Sequence, residues 1–377
     1  MDRLVRIEDS PWRKAMSGQS QRVGAAYAQG YGAPWDNAFH LSSSESTGRV
    51  RCIYTTEMQG VAIISQTSSR NFVLIVGLAL YCGAFALLLG NPSFEPAAAV
   101  VVLVVFGIVL PLTAWLTTRN AVPLSISDQS GVPELIVLIA YVIAVSLYLI
   151  GGPQWIDQHL PSGWTNSQQI KFVITLAKKL LVFVAIPFAI FRFCFGYRLR
   201  DFGIQRQGLR SLCRGHLLVV LAVSAAFLAF QYFISGGGAA FRQGHFTTFQ
   251  LLAGLPLCFI WLLLEVGLVE EFFFRGLVQS RLAAAFKSEV SGIVLMSLIF
   301  GLAHAPGFIF RHAGELEGLG PNPSALDAVA YSIVILAVSG ITFGVIWART
   351  KNLLALMLVH AAGDLLPNFG GFIRTWF

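Results

Sequence analysis

The stretch LLAGLPLCFIWLLLEVGLVEEFFFRGLVQSRL, residues 251–282, contains two adjacent glutamates, Glu270 and Glu271, and an arginine, Arg275, within a largely apolar run. Apolar runs of about 20 residues are typical of membrane-spanning helices. A charge near the centre of a bilayer costs at least about 2.5 kcal/mol, and such residues usually mark a functional site or a paired structural one. The stretch therefore predicts a membrane helix that carries a polar site.

The composition of the whole chain is that of a membrane protein. Of its 377 residues, 55% are hydrophobic and only 12% are charged, whereas soluble domains are about 25% charged. Open sheet edges are not stable in lipid, so we predict an all-α, polytopic membrane protein with eight or nine transmembrane helices. The predicted helices lie in the charge-free stretches 71–90, 96–118, 135–152, 217–241, 246–264 and 328–348, and in the shorter or interrupted stretches 172–195, 290–303 and 352–363.

The first 70 residues differ from the rest of the chain. They contain eight basic and six acidic residues and no long apolar run. We predict that residues 1–70 form a poorly ordered cytosolic tail, in which residues 49–64 are strand-like. Residues 71–168 are then accessory transmembrane helices, and residues 169–377 form the functional core.

Basic residues are distributed unequally between the connections of the predicted helices. Alternate connections carry eleven Lys and Arg residues in one set and two in the other. Because basic connections usually stay in the cytosol, we predict an integral protein of the inner or plasma membrane with a cytosolic N-terminus. A net charge of +7 then suits anionic lipid headgroups, and no nucleic-acid partner is expected. The basic set is 119–133, 196–216, 275–289 and 349–351, and the other set is 91–95, 153–168, 236–248 and 306–327.

Three polar motifs interrupt the apolar segments of the C-terminal half. They are Glu270-Glu271-x-x-x-Arg275, Phe300-x-x-x-His304 and His360-x-x-x-Asp364. Side chains four residues apart share a helix face, so we expect an ion pair within the first motif and a His–Asp pair within the third. Adjacent helical residues point about 100° apart, so the two glutamates are expected to have different roles.

The motifs are expected to lie at one depth. We place Arg275 at the cytosolic boundary, followed by a polar tip at residues 279–289. At 1.5 Å per helical residue, Glu270 then lies about 8 Å inward and His360 about 12 Å inward. In the helical hairpin that carries both residues, the number of residues from Glu270 to the turn nearly equals the number from the turn to His304. We therefore expect the motifs to meet in the cytosolic half of the bilayer, in a site that opens toward the cytosolic side.

Carboxylates and histidines gathered at one depth suit hydrolysis. A carboxylate can act as general base toward water, and histidines can donate protons or hydrogen bonds to a developing oxyanion. Each residue also has a purely structural interpretation, since membrane histidines often join helices and Glu271 with Arg275 could be a neutralised bridge. The clustering of all three motifs favours the functional interpretation.

In this order, the motifs EExxxR, FxxxH and HxxxD resemble those of the CAAX protease and bacteriocin-processing (CPBP, or Abi) family of intramembrane proteases, whose eukaryotic members are type II CAAX prenyl endopeptidases. The resemblance covers roughly residues 170–366 and identifies residues 169–377 as a CPBP-like protease core. It implies that water is activated by Glu270 and His304, that the oxyanion is stabilised by His360 and Asp364, and that support comes from Glu271 and Arg275. The family more often has Asn where this chain has Asp364, and an anionic Asp364 would oppose an oxyanion unless it were protonated.

The cofactor and partner predictions rest on the same residues. Glu270, His304 and His360 could together hold a catalytic zinc, but no HExxH motif preassembles the ligands. The resemblance favours a glutamate-activated water, so we expect no metal, with zinc as the alternative. The expected partners are the lipid bilayer and a membrane-associated or lipidated peptide or protein substrate.

Two classes of function stay open at this point. The first is an intramembrane endopeptidase. The alternative is a non-enzymatic membrane protein, either a proton-coupled transporter or an immunity or scaffold protein that uses the same polar groups. Many transporters contain internal repeats, whereas the polar motifs here lie only in the C-terminal half. This asymmetry favours the enzyme.

Overall fold

The computed structural model describes residues 51–126, 131–309, 319 and 323–377. These residues form a bundle of long helices, and none of them lies in a strand. The helices are α1 (Arg51–Leu89), α2 (Pro96–Thr117), α3 (Val132–His159), α4 (Gln168–Phe195), α5 (Leu217–Phe233), α6 (Thr248–Phe286), α7 (Glu289–Ile309), α8 (Ala325–Thr350) and α9 (Leu353–Trp376).

The described helices confirm the predicted fold class. Eight of them are long and apolar enough to cross a membrane, with α1 contributing from Ser68 onward. A ninth crossing is possible if α5 is joined to the segment Gly236–Gln243, from which it is bent by 78°. The all-α membrane fold with eight or nine spans is therefore correct.

The predicted strand-like segment at residues 49–64 was wrong where the structure describes it, and the cytosolic tail at residues 1–70 stays a prediction. Residues 51–64 are helical and belong to α1 rather than to a strand-like piece, while residues 1–50 lie outside the described part. An apolar run can extend a helix toward its N-terminus, and this continuity outweighs the weak strand propensity of 49–64. The boundary predicted at residue 168 stays a prediction. Phe106 of α2 and Leu138 of α3 belong to the same hydrophobic cluster as Phe273 of α6.

The helices differ in how much of their side-chain surface is exposed. Residues 271–283 of α6 are buried without exception. On the outer helices, by contrast, large apolar side chains such as Phe72, Ile139 and Phe193 are exposed. Hydrocarbon does not penalise such exposure, whereas water does. The arrangement places α6 at the centre of the bundle and α1, α3 and α4 toward lipid.

One end of the bundle, here called the basic end, consists of the segments 118–126, 196–216, 287–288 and 351–352, together with residue 131. Three hydrogen bonds join these segments and the adjacent helix ends: Gln205 Nε2 to Ser125 O (2.8 Å), Leu124 N to Thr350 O (2.9 Å) and Lys351 Nζ to Glu289 Oε1 (2.6 Å). The grouping agrees with the set of basic connections found in the sequence.

The other end, here called the opposite end, consists of the segments 90–95, 160–167, 234–247 and 323–324. Gln169 at the start of α4 donates a hydrogen bond from Nε2 to the backbone oxygen of Thr375 at the end of α9 (2.8 Å). Lys178 of α4 binds Asp157 near the end of α3 (2.7 Å). Helices that follow one another along the chain thus run in alternating directions between the two ends.

The segment 196–204 covers the end of α6 at the basic end. It contains two glycines with positive φ, Gly196 (φ 74°) and Gly203 (φ 79°). A Cβ at position 203 would lie 2.5 Å from the ring of Trp347 and 2.9 Å from the backbone oxygen of Lys351. A Cβ at position 196 would meet nothing within 4 Å. A glycine is therefore favoured at position 196 by its positive φ alone, whereas at position 203 both the positive φ and the close packing require one.

Substitution of these two glycines separates backbone strain from packing. Gly196→Ala should lower the free energy of unfolding by about 1–2 kcal/mol, the cost of a left-handed alanine. Gly203→Ala should cost a further ~1–3 kcal/mol, because the new methyl group overpacks against Trp347. Thermal unfolding of both variants in detergent measures the difference. Equal losses would contradict the close packing of the 196–204 segment on α8.

Candidate active site

The helix α6 changes its geometry on both sides of Glu270. Its segments Leu263–Leu268 and Glu271–Gln279 have the wider hydrogen-bonding pattern of a π-helix. Such widenings are rare and occur frequently at functional sites. They rotate the side chains that follow relative to a regular helix. In this way Glu270, which is partly exposed, and Glu271, which is fully buried, face different surroundings.

The predicted ion pair between Glu271 and Arg275 is present. Arg275 Nη1 donates to Glu271 Oε1 at 3.0 Å, and both side chains are fully buried. The guanidinium also lies against two aromatic rings, with its Cζ 4.5 Å from the centroid of Phe300 and 5.0 Å from that of Phe343. Cation–π contacts of this kind are strongest when they are shielded from water.

The predicted polar tip at residues 279–289 was wrong in its first part. Arg275, Gln279 and Arg281 are all buried, whereas Lys287 and Glu289 are exposed. The position of Arg275 at the membrane boundary stays a prediction. The prediction assumed that an arginine in an apolar run must reach for water. Here the side chain is neutralised by Glu271 and by aromatic rings, so it can lie inside the protein.

His360 joins α9 to both glutamates. Its Nδ1 lies 2.5 Å from Glu271 Oε1, and its Nε2 lies 3.8 Å from Glu270 Oε2. Because an ionised carboxylate only accepts, Nδ1 carries the hydrogen in the shorter contact. The imidazole also stacks on Phe343, with ring centroids 4.5 Å apart. These contacts orient Nε2 toward Glu270.

The predicted pairing of His360 with Asp364 was wrong. Both residues are described, and no hydrogen bond or ion pair joins their side chains; His360 binds Glu271 instead. The helical spacing permits the His–Asp pair, but a carboxylate from the facing helix takes its place. The backbone oxygen of Asp364 accepts a hydrogen bond from Asn368 Nδ2 (2.9 Å).

His304 is held by its own helix. Its Nδ1 lies 2.8 Å from the backbone oxygen of Phe300, and since a carbonyl only accepts, Nδ1 carries the hydrogen. In the neutral ring, Nε2 is then an acceptor. The Phe300 ring lies between the imidazole of His304, with centroids 4.7 Å apart, and the guanidinium of Arg275.

The start of α9, which carries His360, is fixed by Asn352. Its Oδ1 accepts from the backbone nitrogen of Ala355, and its Nδ2 donates to the backbone oxygen of Gly208 (3.0 Å). The same amide nitrogen lies 3.1 Å from Nδ1 of the buried His216. Burial lowers the pKa of His216, which favours the neutral ring that accepts this hydrogen bond. The 196–216 segment thus positions α9.

Glu270 and His304 face the same space. Both line a cavity of about 400 Å³ between α3, α4, α6 and α7. The other lining residues are Tyr148, Leu149, Pro153, Gln154, Asp157, Thr175, Lys178, Lys179, Phe183, Val269, Phe274, Ala303 and Gly307. His360 does not line this cavity, but its Nε2 lies 3.8 Å from Glu270 Oε2. Glu270 and His304 in the cavity, with His360 behind Glu270, can support acid–base chemistry on a bound substrate.

Residues 252–366 match the family model described as type II CAAX prenyl endopeptidase Rce1-like. This part of the chain is similar to that family and is here called the Rce1-like domain. It agrees with the CPBP resemblance and contains all six predicted site residues, from Glu270 to Asp364. No curated protein and no solved structure matches the chain. The family supports an intramembrane protease activity of the CAAX type in general, and the apolar helices indicate an integral membrane protein.

A lysine from outside the Rce1-like domain also reaches the cavity. Lys179 of α4 lines it together with Glu270 and forms an ion pair with Glu265, one and a half turns before Glu270 on α6. None of the three sequence motifs includes Lys179. The sequence nevertheless indicates a role for it, because an ionisable residue inside an apolar segment usually has a partner or a function.

The cavity lies nearer the opposite end of the bundle than the basic end. Its outer wall consists of residues 148–157 at the end of α3 and Gly307 near the end of α7. Toward the basic end, residues 271–283 of α6 are buried and leave no opening along this helix. The sequence predicts a site that opens toward the end with the basic connections. The outer lining residues lie instead near the opposite end, and the direction of the opening stays a prediction.

The residues of the Rce1-like domain do not form a preassembled metal site. In the described ranges, no group of three or more His, Cys, Asp or Glu side chains is arranged to hold a metal ion. The Nδ1 of His360 is bound to Glu271 and that of His304 to a backbone oxygen, which leaves the Nε2 atom of each ring available. Glu270, His304 and His360 are thus not gathered around a common centre as they are arranged, and the absence of a metal stays a prediction.

The buried ion pair of the Rce1-like domain can be tested with a double-mutant cycle. Arg275→Met should cost roughly 3–5 kcal/mol of unfolding free energy, because Glu271 keeps its charge without the guanidinium. Glu271→Gln should cost a similar amount. The double variant should be more stable than the sum of the two losses predicts, since no lone charge stays buried. Thermal unfolding in detergent gives all three values, and strictly additive losses would contradict the pairing.

Proposed function

We propose that this protein is an intramembrane endopeptidase, in which water activated by Glu270 and His304 hydrolyses a peptide bond of a membrane-associated substrate. The observation that supports this most directly is the shared cavity of Glu270 and His304, with His360 Nε2 only 3.8 Å from Glu270. The Rce1-like match supports the same class of reaction.

The first chemical step is attack by water on the scissile carbonyl carbon. Glu270 acts as general base and takes one proton from the water, while the Nε2 of a neutral His304 accepts a hydrogen bond from it. The oxygen of the water forms the new bond to carbon, and the carbonyl electrons move onto oxygen. The product of this step is a tetrahedral oxyanion with protonated Glu270.

The second step is the collapse of this intermediate. In its imidazolium form, His360 donates a hydrogen bond from Nε2 to the oxyanion, and Glu271 and Arg275 keep the ring in place. Glu270 returns its proton to the nitrogen of the leaving amine as the carbon–nitrogen bond breaks. In this proposal Asp364 contributes to the oxyanion site only when protonated, because an anion there would oppose the developing charge.

The surroundings of the cavity suit a membrane-associated substrate. A second cavity of about 490 Å³ is lined almost entirely by apolar residues and shares Leu149, Phe274 and Ala303 with the first. An apolar part of a substrate can occupy this space while its peptide bond lies near Glu270. The partners in this proposal are thus the bilayer and a membrane-associated or lipidated peptide or protein.

The catalytic roles predict a specific loss of activity. Glu270→Gln keeps the shape of the side chain but removes the base, and His304→Ala removes the second contact to water. Each should reduce proteolysis about 10²–10⁴-fold without loss of folding, the usual contribution of a general acid or base. Quantitative proteomics of membrane peptides, comparing cells with wild type and each variant, measures the effect.

Matched controls come from exposed residues of the same type, Glu95→Gln and His245→Ala. They should leave the peptide pattern of the wild type unchanged. Full turnover by a folded Glu270→Gln variant would remove this glutamate from the mechanism. An identical peptide pattern with and without the protein would favour the non-enzymatic alternative.

The proposed mechanism uses no metal ion. Purified protein should therefore keep its activity after dialysis against a strong chelator, and elemental analysis should find less than one zinc per chain. The physical reason is that, among the described residues, the carboxylates and imidazoles surround no common centre. Loss of activity on chelation, restored by added zinc, would show that zinc rather than Glu270 alone activates the water.

A further inference from the structure

We infer that the catalytic cavity opens on the extracytoplasmic face of the membrane, so that the protease takes membrane-anchored peptides whose scissile bond is reached from that side. This inference rests on the proposed function for the cleavage step, but the direction of the opening rests on the walls of the cavity and on the charge distribution of the chain. It reverses the direction expected from the sequence.

The walls of the cavity locate its opening. Pro153, Gln154 and Asp157 lie in the last turns of α3, and Gly307 lies in the last turn of α7. Both helices run from the basic end to the opposite end. Lys178 of α4, which runs the other way, meets Asp157 at the same level (2.7 Å). All the outer lining residues therefore belong to the opposite end.

The other side of the cavity is closed by packing. Beyond Glu270, the rings of Phe274 and Phe300 contact each other with centroids 5.1 Å apart, and Arg275 lies against Phe300 and Phe343. Farther toward the basic end, the 196–204 segment packs on α6, where a Cβ at Gly276 would lie 3.0 Å from the backbone oxygen of Phe202. A peptide that approached from the basic end would have to displace these contacts.

The charge distribution relates the two ends to the two faces of the membrane. The basic connections contain eleven Lys and Arg residues. Nine remain when the two buried arginines, Arg275 and Arg281, are not counted. The connections of the opposite end contain two, and Lys171 and Arg374 at neighbouring helix ends raise this to four. Even Lys178 and Lys179 of the cavity wall bring the number only to six. By the positive-inside rule, the basic end is cytosolic.

The two observations together define the substrate class. A peptide bond can reach Glu270 only from the extracytoplasmic side, while an apolar anchor can enter the adjoining space lined by Leu149, Phe274 and Ala303. Exported peptides or proteins that stay attached to the outer leaflet have this arrangement. A lipidated C-terminus presented from the cytosol does not.

Cysteine labelling tests the direction directly. In a full-length variant with the five native cysteines replaced by alanine, Gln154→Cys places a thiol in the cavity wall and Arg200→Cys places an exposed thiol at the basic end. Intact cells are treated with a membrane-impermeant maleimide. We expect Gln154→Cys to be labelled at once and Arg200→Cys only after the membrane is permeabilised.

Other labelling patterns overturn the inference. Protection of Gln154→Cys in intact cells, with or without labelling of Arg200→Cys, would place the opening on the cytosolic face or close it. Labelling of both variants in intact cells would contradict a single orientation. These outcomes do not depend on whether the protein is an enzyme.

A second readout tests the use of the opening. Labelling of Gln154→Cys from outside with a bulky maleimide should abolish the peptide products found in cells with the wild type, and the same treatment of the Arg200→Cys variant should leave them unchanged. Labelling without loss of products would show that substrate enters elsewhere. If wild type itself yields no products, the proposed function fails, whereas the labelling result on direction stands.

Discussion

A buried guanidinium is the constraint on which the rest of this structure depends. Arg275 lies inside the helix bundle with no exposed surface, and such a charge is tolerated only when it is paired. Glu271 supplies the pair from the same helix, and His360 binds the same carboxylate oxygen from α9. Phe300 of α7 and Phe343 of α8 cover the guanidinium. Four helices are thereby held around one charge.

This network separates the roles of two adjacent glutamates. Glu271 is fully buried and committed to Arg275 and His360, so it is not available to a substrate. Glu270 keeps 17% of its side chain exposed and lines the cavity with His304. Adjacent helical positions point about 100° apart, which makes this division possible, and the helix is widened on either side of Glu270. A chemical site and its structural support thus occupy consecutive positions of one helix.

The Rce1-like domain does not build its cavity alone. Residues 252–366 provide Glu270, His304 and His360, but the outer wall comes from α3 and α4, which precede the domain. Lys179 of α4 forms an ion pair with Glu265 of α6 and so couples the two parts electrostatically. Changes in α3 or α4 can therefore alter which substrates enter, while the residues around Glu270 stay the same.

The sequence by itself determined the helical membrane fold, the three motifs and the pair of Glu271 with Arg275, because apolar length and the helical period act within a single segment. Only the tertiary structure decided that His360 binds Glu271 rather than Asp364, that Arg275 is buried, and that the outer wall of the cavity lies away from the basic end. Each of these depends on which faces of separate helices meet. The period of one helix places its own side chains relative to each other, but it carries no information about the partner that packs against them.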